Sequence, residues 1–495
     1  MTPSKLYRLF EMIPGSVTWA TFLAAVLLSW LAPLYAIYFI ILFDLYWLFR
    51  VLYFVFYLTV SWRRYQTAVQ INWRAKLEQE CPDWQKIYHL IFLPTAREEW
   101  SVIETTLSSL TNVDYPLDKF IVVLAGEGNY AEHFQTIAAR AQEKFGQKFF
   151  RFYTTVHPSN LPDEIASKGS NLNYAGHFMQ KKIDVLGIPY DNLIVSAFDI
   201  DTCTHFQYFA CLAHTYLTTK NPTRTSYQPV ALYNNNIWSS NPVMRVAAFG
   251  TTFWLLSELS RPERLFTFSS HSMSWRALVD VGFWQKDIVT EDSRIFLQCF
   301  LHYHGDYTVT PIYLPVSMDT VQANTFWRSL VNLYKQQRRW AWGVEHFPYM
   351  LWHFQHDALI PWRKKFKYLW NLGEGMYSWA TAPILIFILG RLPMWLASFE
   401  FKASVFAQTT PLVLEWLLRL AMIGILLSVI LSVRLLPPWP QRFRVFHLAI
   451  MAAQWLLLPV TLILFGAIPA IDAQTRLLTG RYLGFWVTEK KRPAH

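Results

Sequence analysis

Asp191-Asn192-Leu193-Ile194-Val195-Ser196-Ala197-Phe198-Asp199-Ile200-Asp201-Thr202 is an apolar run that ends in two carboxylates one residue apart. A short uninterrupted run of this kind reads as a strand buried on both faces, and such strands belong to parallel sheets covered by helices. Extended geometry puts Asp199 and Asp201 on one face, about 7 Å apart. Both can then reach one hard divalent cation, directly or through water, while the cation's open positions take phosphate oxygens. Magnesium or manganese bridging a diphosphate is the natural occupant. A solvated loop pair is the plain alternative for any Asp-x-Asp sequence, and the position at the carboxyl end of a core strand argues against it.

The same grammar surrounds this strand. Tyr88-His-Leu-Ile-Phe-Leu-Pro94 is an apolar run stopped by proline, and Thr95-Ala-Arg-Glu98-Glu99 leads from it into residues 100–110, whose apolar side chains recur at helical spacing. Phe120 to Ala125 is a second such run, followed by Gly126-Glu127-Gly128, where two glycines are expected to permit a tight turn. Strand, loop and helix in alternation predict an α/β domain with a doubly wound, Rossmann-like parallel sheet. Ligands bind such sheets outside the carboxyl ends of the strands, so Thr95, Arg97, Glu98 and Glu127 line one candidate crevice.

Three further segments carry chemistry. Ser167-Lys168-Gly169-Ser170-Asn171 opens a helix with a cation and polar donors, which suits a phosphate or ribose group or, more plainly, an ordinary capped helix start. Asp287-Ile-Val-Thr290-Glu291-Asp292-Ser293-Arg294 presents Glu291 and Asp292 ahead of an apolar helix. Acidic residues favour a helix N-terminus for electrostatic reasons alone. In a cleft beside a metal, the same carboxylates supply a base that takes a proton from a hydroxyl nucleophile. Residues 326–342 mix aromatic, aliphatic and cationic side chains at helical spacing, as a helix lying flat at a membrane interface would. Within it Gln336, Arg339 and Trp340 offer an amide, a guanidinium that pairs with phosphate, and an indole on which a sugar ring can stack, although interfacial anchoring alone also explains this composition.

Composition divides the chain in two. Of 495 residues, 53% are hydrophobic and 16% charged, too apolar for a soluble protein, while a mean hydropathy of +0.17 is too low for spanning helices alone. Val17 to Tyr57 is almost wholly apolar and exceeds the roughly 20 residues of one span, so it reads as a helical hairpin turning near Ala32-Pro33, with Asp44 and Arg50 as interior polar contacts. Lys5 and Arg8 precede it without a convincing cleavage site, which predicts a retained anchor. Trp62-Arg63-Arg64-Tyr65 then marks the cytoplasmic face. Three more spans are expected at about 374–396, 411–436 and 445–471. These give a map of a transmembrane hairpin (1–65), a cytoplasmic α/β domain (66–345), an interfacial segment (346–373), about three C-terminal spans (374–475) and a basic tail (476–495). Three crossings after a cytoplasmic domain would leave that tail outside, against the charge rule, while the Arg- and Pro-rich loop 437–444 fits the cytoplasmic side, so either the first or the last of the three segments is not a simple span.

The net charge of +10 sits in clusters beside spans, at 63–64, 363–367, 442–444 and the tail, which argues against nucleic acid as a partner and for a lipid bilayer. Four cysteines without a CxxC pair indicate neither a disulfide framework nor a zinc ribbon. His302-x-His304 has no matching ligand set and reads as a polar loop.

A Pro-Thr-Ala-Arg-Glu loop after the first strand, Asp-x-Asp at 199–201, Thr-Glu-Asp at 290–292 and Gln-x-x-Arg-Trp at 336–340, in this order and over residues 85–345, resemble the membrane-embedded family 2 glycosyltransferases, which include cellulose and hyaluronan synthases. The resemblance implies a GT-A domain, a nucleotide-sugar donor with uridine diphosphate as the expected carrier, a glycan or lipid acceptor, and inversion at the anomeric carbon. It implies that Thr95 and Glu98 sit by the base and ribose, and Lys168 and Asn171 near the nucleotide or diphosphate. Asp199 would touch the nucleotide, Asp201 hold Mg2+ or Mn2+, and Asp292, with Glu291 beside it, act as general base. Gln336, Arg339 and Trp340 would serve the acceptor or diphosphate, as would Ser272 within 269–274. Many relatives have an Asp-Asp pair after the second strand; Glu127 stands there alone.

Processive polysaccharide synthesis at the plasma (inner) membrane is the leading expectation. Transfer of one sugar to a membrane lipid or polyprenyl phosphate is the first alternative, and a transporter or scaffold with a nucleotide-binding domain is the second.

Overall fold

The structure, a computed structural model, describes residues 3–438 and 446–484. The expected strand Leu193–Ala197 lies inside one eight-stranded sheet. In chain order the strands are β1 (Tyr88–Pro94), β2 (Phe120–Glu127), β3 (Arg151–His157), β4 (Leu193–Ala197), β5 (Cys203–Thr204), β6 (Thr225–Tyr233), β7 (His271–Ser274) and β8 (Thr308–Met318), and their spatial order is β3-β2-β1-β4-β7-β6-β8-β5. One half, β3-β2-β1-β4, is parallel as expected. The other half departs from the doubly wound expectation. There β7 runs antiparallel to both β4 and β6, β5 runs antiparallel to β8, and only β6 and β8 are parallel to each other.

Alternation along the strands explains the layers. Leu90 and Phe92 of β1 pack on one side with helix α5 (Lys168–Leu186), helix α7 (Pro242–Leu259) and helix α8 (Glu291–His302). Ile91 and Leu93 pack on the other side with α3 (Trp100–Thr111), α4 (Ala131–Phe145) and α6 (Tyr208–Thr218). Helix α5 has a full capping box, with Ser167 and Ser170 each satisfying the other's backbone N–H, and ends at Gly187 in the left-handed conformation (φ 66°). Gly126 and Gly128 are not at positive φ, so the turn-forming reason expected for them does not hold. Their demand is space: a Cβ on Gly126 would stand 2.3 Å from the Phe134 ring, and one on Gly128 would stand 2.8 Å from the His157 carbonyl oxygen.

Helices α1 (Pro3–Leu31) and α2 (Pro33–Gln70) form the expected hairpin, broken at Ala32, where proline at the first helical position starts the second helix. Asp44 is buried and Arg50 pairs with Glu374 at 3.1 Å, as interior polar residues of a bundle should. Among the described residues, four helical stretches are long and apolar enough to cross a membrane: Lys5–Leu31, Pro33–Gln70, Val405–Arg434 and Phe446–Thr479. A fifth candidate is α10 (Trp362–Phe387) with Leu389–Leu396, a pair bent by 44°. Helix α10 runs unbroken through residue 373, where the sequence suggested the end of an interfacial segment. Residues 439–445 of the Pro- and Arg-rich loop, and Lys490, Lys491 and Arg492 of the tail, lie outside the described residues.

Candidate active site at the carboxyl ends of the strands

The carbonyl oxygen of Ala125, near the end of β2, accepts from the Thr95 backbone N–H at 2.8 Å and from Asn171 Nδ2 at 3.0 Å. Those two bonds draw the end of β1, the end of β2 and the start of α5 into one mouth. Asn171 Nδ2 thereby ties α5 to the sheet, while its Oδ1 is buried without a hydrogen-bond partner. Glu98 folds back over the β1 loop, where its Oε2 accepts from Thr95 Oγ1 at 2.8 Å and from the Ala96 N–H at 2.7 Å, which makes the loop rigid.

Lys168, the first residue of α5, is the hub. Its Nζ donates to Asp199 Oδ1 and to Asp292 Oδ1, both at 2.8 Å, and stands 3.5 Å from Glu291 Oε1. Burial alone would push this ammonium down. The charges of Asp199, Asp292 and Glu291 outweigh it and hold the group well above its ordinary range. Glu291 has both carboxylate oxygens buried with no hydrogen-bond partner, and burial, then the neighbouring Asp292 charge, raises its pKa. Asp292 is a quarter exposed and so is the member of the pair that a substrate can reach.

Asp201 is fully buried. Its Oδ2 accepts from the Asp319 N–H at 2.7 Å, and its backbone carbonyl accepts from Asn235 Nδ2 at 3.0 Å, so the second carboxylate is fixed by the loops after β6 and β8. Asp199 keeps its position through Ser269, whose Oγ donates to Oδ2 at 2.5 Å. Ser272 is not brought to this mouth. It is fully buried in β7, with its hydroxyl bonded to Ser196 (2.8 Å) and Tyr208 (3.1 Å), because the register of β7 on β4 turns it into the sheet. Ser269, just ahead of β7, is the serine of this segment that bonds to Asp199 at the mouth.

Helix α9 (Phe326–Ala341) borders the mouth. Gln336 is buried and shares with Trp340, Tyr233, Asp319 and Thr320 the lining of a narrow cleft. The Trp340 and Tyr233 rings stand 6.0 Å apart. Arg339's charge acts on Tyr233 and on Glu291.

Two residues at the site carried no signal in the sequence. Tyr233 ends β6 amid the carboxylates; burial first, and then Asp199, Asp201 and Asp292, push its hydroxyl pKa up. His157 ends β3 opposite Glu127 in the parallel register and lies between two carboxylates, Glu127 at 3.2 Å and Glu164 at 3.0 Å. Burial disfavours its charge, but the two glutamates win and raise its pKa.

No group of three or more His, Cys, Asp or Glu side chains among the described residues forms a protein-only metal cage. A magnesium-type ion does not need one, since it is commonly held by one or two carboxylates with substrate phosphates and water completing the shell. Asp199, Asp201 and Asp292 against Lys168 and Arg339 leave an excess of negative charge even with Glu291 neutral, as its raised pKa favours, so the donor set fits a divalent cation at Asp199 and Asp201.

No protein-family model and no curated protein matches the sequence. Among solved structures, the chain is similar to mannosyltransferase PcManGT from Pyrobaculum calidifontis in complex with GDP-Man and Mn2+, at 16% identity and a TM-score of 0.46 over 90% of this chain and 100% of that one. It is also similar to S. aureus TarS 1-349 in complex with UDP-GlcNAc, at 12% identity and a TM-score of 0.35 over 80% of this chain and 93% of that one. Both likenesses are distant.

Proposed function

We propose that this chain is a membrane glycosyltransferase that moves a sugar from a nucleotide-sugar donor to a glycan or lipid acceptor. The observation that carries the reading is the convergence of Asp199, Asp292 and Glu291 on Lys168 at the strand ends, with Arg339 and Trp340 closing the same mouth. A pure binding module has no use for a quarter-exposed carboxylate beside a buried one at the same cation.

The residues divide the work. Thr95, Glu98 and Glu127 border the nucleotide, with uridine as the expected base, and His157 holds Glu127 in place. Asp292 takes the proton of the acceptor hydroxyl as that oxygen bonds to the anomeric carbon and the bond to the diphosphate oxygen breaks. One attack from the face opposite the leaving group inverts the carbon. Lys168 and Arg339 offset charge on the departing diphosphate. A divalent ion held by Asp199 and Asp201 would supply Lewis-acid neutralisation of that diphosphate. Trp340 and Tyr233 offer rings on which an acceptor sugar can stack.

The membrane arrangement we favour has four crossings: α1, α2, the bent pair beginning with α10, and Val405–Arg434. Two observations support the last stretch, Phe446–Thr479, lying along the domain face instead. At its start Trp455 stacks on Phe253 of α7 at 5.8 Å. At its end Asp472 accepts from Arg338 (2.8 Å) and Tyr334 (3.0 Å) of α9. Arg476 and Arg481 then stay on the domain's side, as the charge rule asks.

The reading is tested with purified protein in lipid, offered a panel of nucleotide sugars with Mg2+ or Mn2+. Release of nucleotide diphosphate from at least one donor is expected, and no release from any would overturn it. Product length separates a processive polymerase, which gives a ladder, from single-sugar transfer to a lipid.

A further inference from the structure

The turn after α9 is bonded to the loop that carries the general base. Glu345 Oε1 accepts from Thr290 Oγ1 and Glu345 Oε2 from Trp342 Nε1, both at 2.9 Å. Thr290 stands at the N-cap of α8, yet its hydroxyl caps nothing there; it is turned toward Glu345 instead. The next residue extends the seam, with His346 Nε2 2.8 Å from Ser293 Oγ and His346 Nδ1 accepting from Arg294 Nε at 3.2 Å. Arg294 also donates to Gln285 Oε1 at 2.9 Å and lies 3.8 Å over the Tyr349 ring. Residues 290, 293 and 294 are therefore held on both sides of Asp292 by 345, 346 and 349, while α9, one turn away, presents Gln336, Arg339 and Trp340.

We propose that Glu345 is a positioning residue for sugar transfer, fixing Thr290 and through it Asp292 relative to the acceptor groups of α9. The inference rests on the glycosyltransferase reading above. A carboxylate is required because both of its oxygens accept and the two donors come from different elements. Keeping it costs stability, since burial pushes its carboxyl up to about 7. That cost is consistent with selection for geometry at the base.

The test uses the full chain in lipid with Glu345→Ala, Thr290→Val and the double variant, reading kcat, donor KM and Tm. Each single change is expected to lower kcat about tenfold with donor KM within about twofold, a misplacement effect. The double variant should lose no more than the worse single, because both act through one bond. Glu345→Gln, which keeps one acceptor, should recover part of the loss. Where Glu345→Ala does not fold, Thr290→Val and Glu345→Gln carry the comparison. Unchanged kcat in the single variants, multiplying losses, or a raised donor KM at constant kcat would overturn the proposal while leaving an active wild type intact. A wild type inactive with every donor overturns the transfer reading and this proposal with it.

Discussion

Lys168 is a cation at the hub of three acids, and it decides how the site behaves without substrate. Removing it leaves Asp199, Asp292 and a buried Glu291 facing one another. Breaking a buried ion pair costs about 3–5 kcal/mol, and the partial exposure of the two aspartates discounts this through solvent screening. Lys168→Met is expected to destabilise by about 2 kcal/mol, read as a fall in Tm; an unchanged Tm would contradict the hub. At this scale Asp199 and Asp201 were legible as an Asp-x-Asp pair just past an apolar strand, but the extended, same-face geometry expected for them does not hold. β4 stops at Ala197, and they lie in the turn that follows, closed by the Thr202 N–H donating to the Asp199 carbonyl oxygen at 2.9 Å. Tyr233 and His157 were not, because an aromatic at the end of an apolar strand and a lone histidine acquire meaning only from their neighbours in space. Ser272 was misassigned for the same reason: the face a β7 serine takes depends on its register against β4.

Elements were legible in proportion to their apolar continuity. β1, β2 and β4 are uninterrupted runs, and together with β3 they form the parallel half of the sheet. β7 is His271-Ser-Met-Ser274, a polar sequence buried by the strands on either side, and nothing in its propensity announces a strand that reverses the sheet's direction. Gly126 shows how an element position can be noticed for the wrong reason, since its requirement is the Phe134 ring of α4 rather than backbone freedom. Gly126→Ala should therefore cost about 1–3 kcal/mol by overpacking. Gly126→Ala with Phe134→Leu should regain part of the Tm lost. A single variant as stable as wild type would show that the ring has room to move.

At the scale of the molecule, the two-part composition is a water-facing α/β domain averaged with apolar helices at both ends of the chain. The hairpin was legible from length alone. The conflict between charge and span count was legible too, and the four-crossing arrangement we propose for it rests on contacts that link distant segments, above all Asp472 with Arg338 and Tyr334. Four crossings predict that Ser398→Cys, in a background without the four native cysteines, reacts with a membrane-impermeant maleimide from outside. Arg481→Cys should react only after permeabilisation. Labelling of Arg481→Cys in sealed cells would restore the fifth crossing.

In the proposed reaction Asp292 is the base that takes the acceptor's proton. Asp292→Asn removes the proton acceptor and keeps the shape, so the most direct measurement is transfer of labelled sugar by this variant beside its affinity for the same donor. Transfer lost by at least about a hundredfold, as removal of a general base allows, with donor affinity within a few-fold of wild type, is the predicted result. Transfer at the wild-type rate would contradict the central claim.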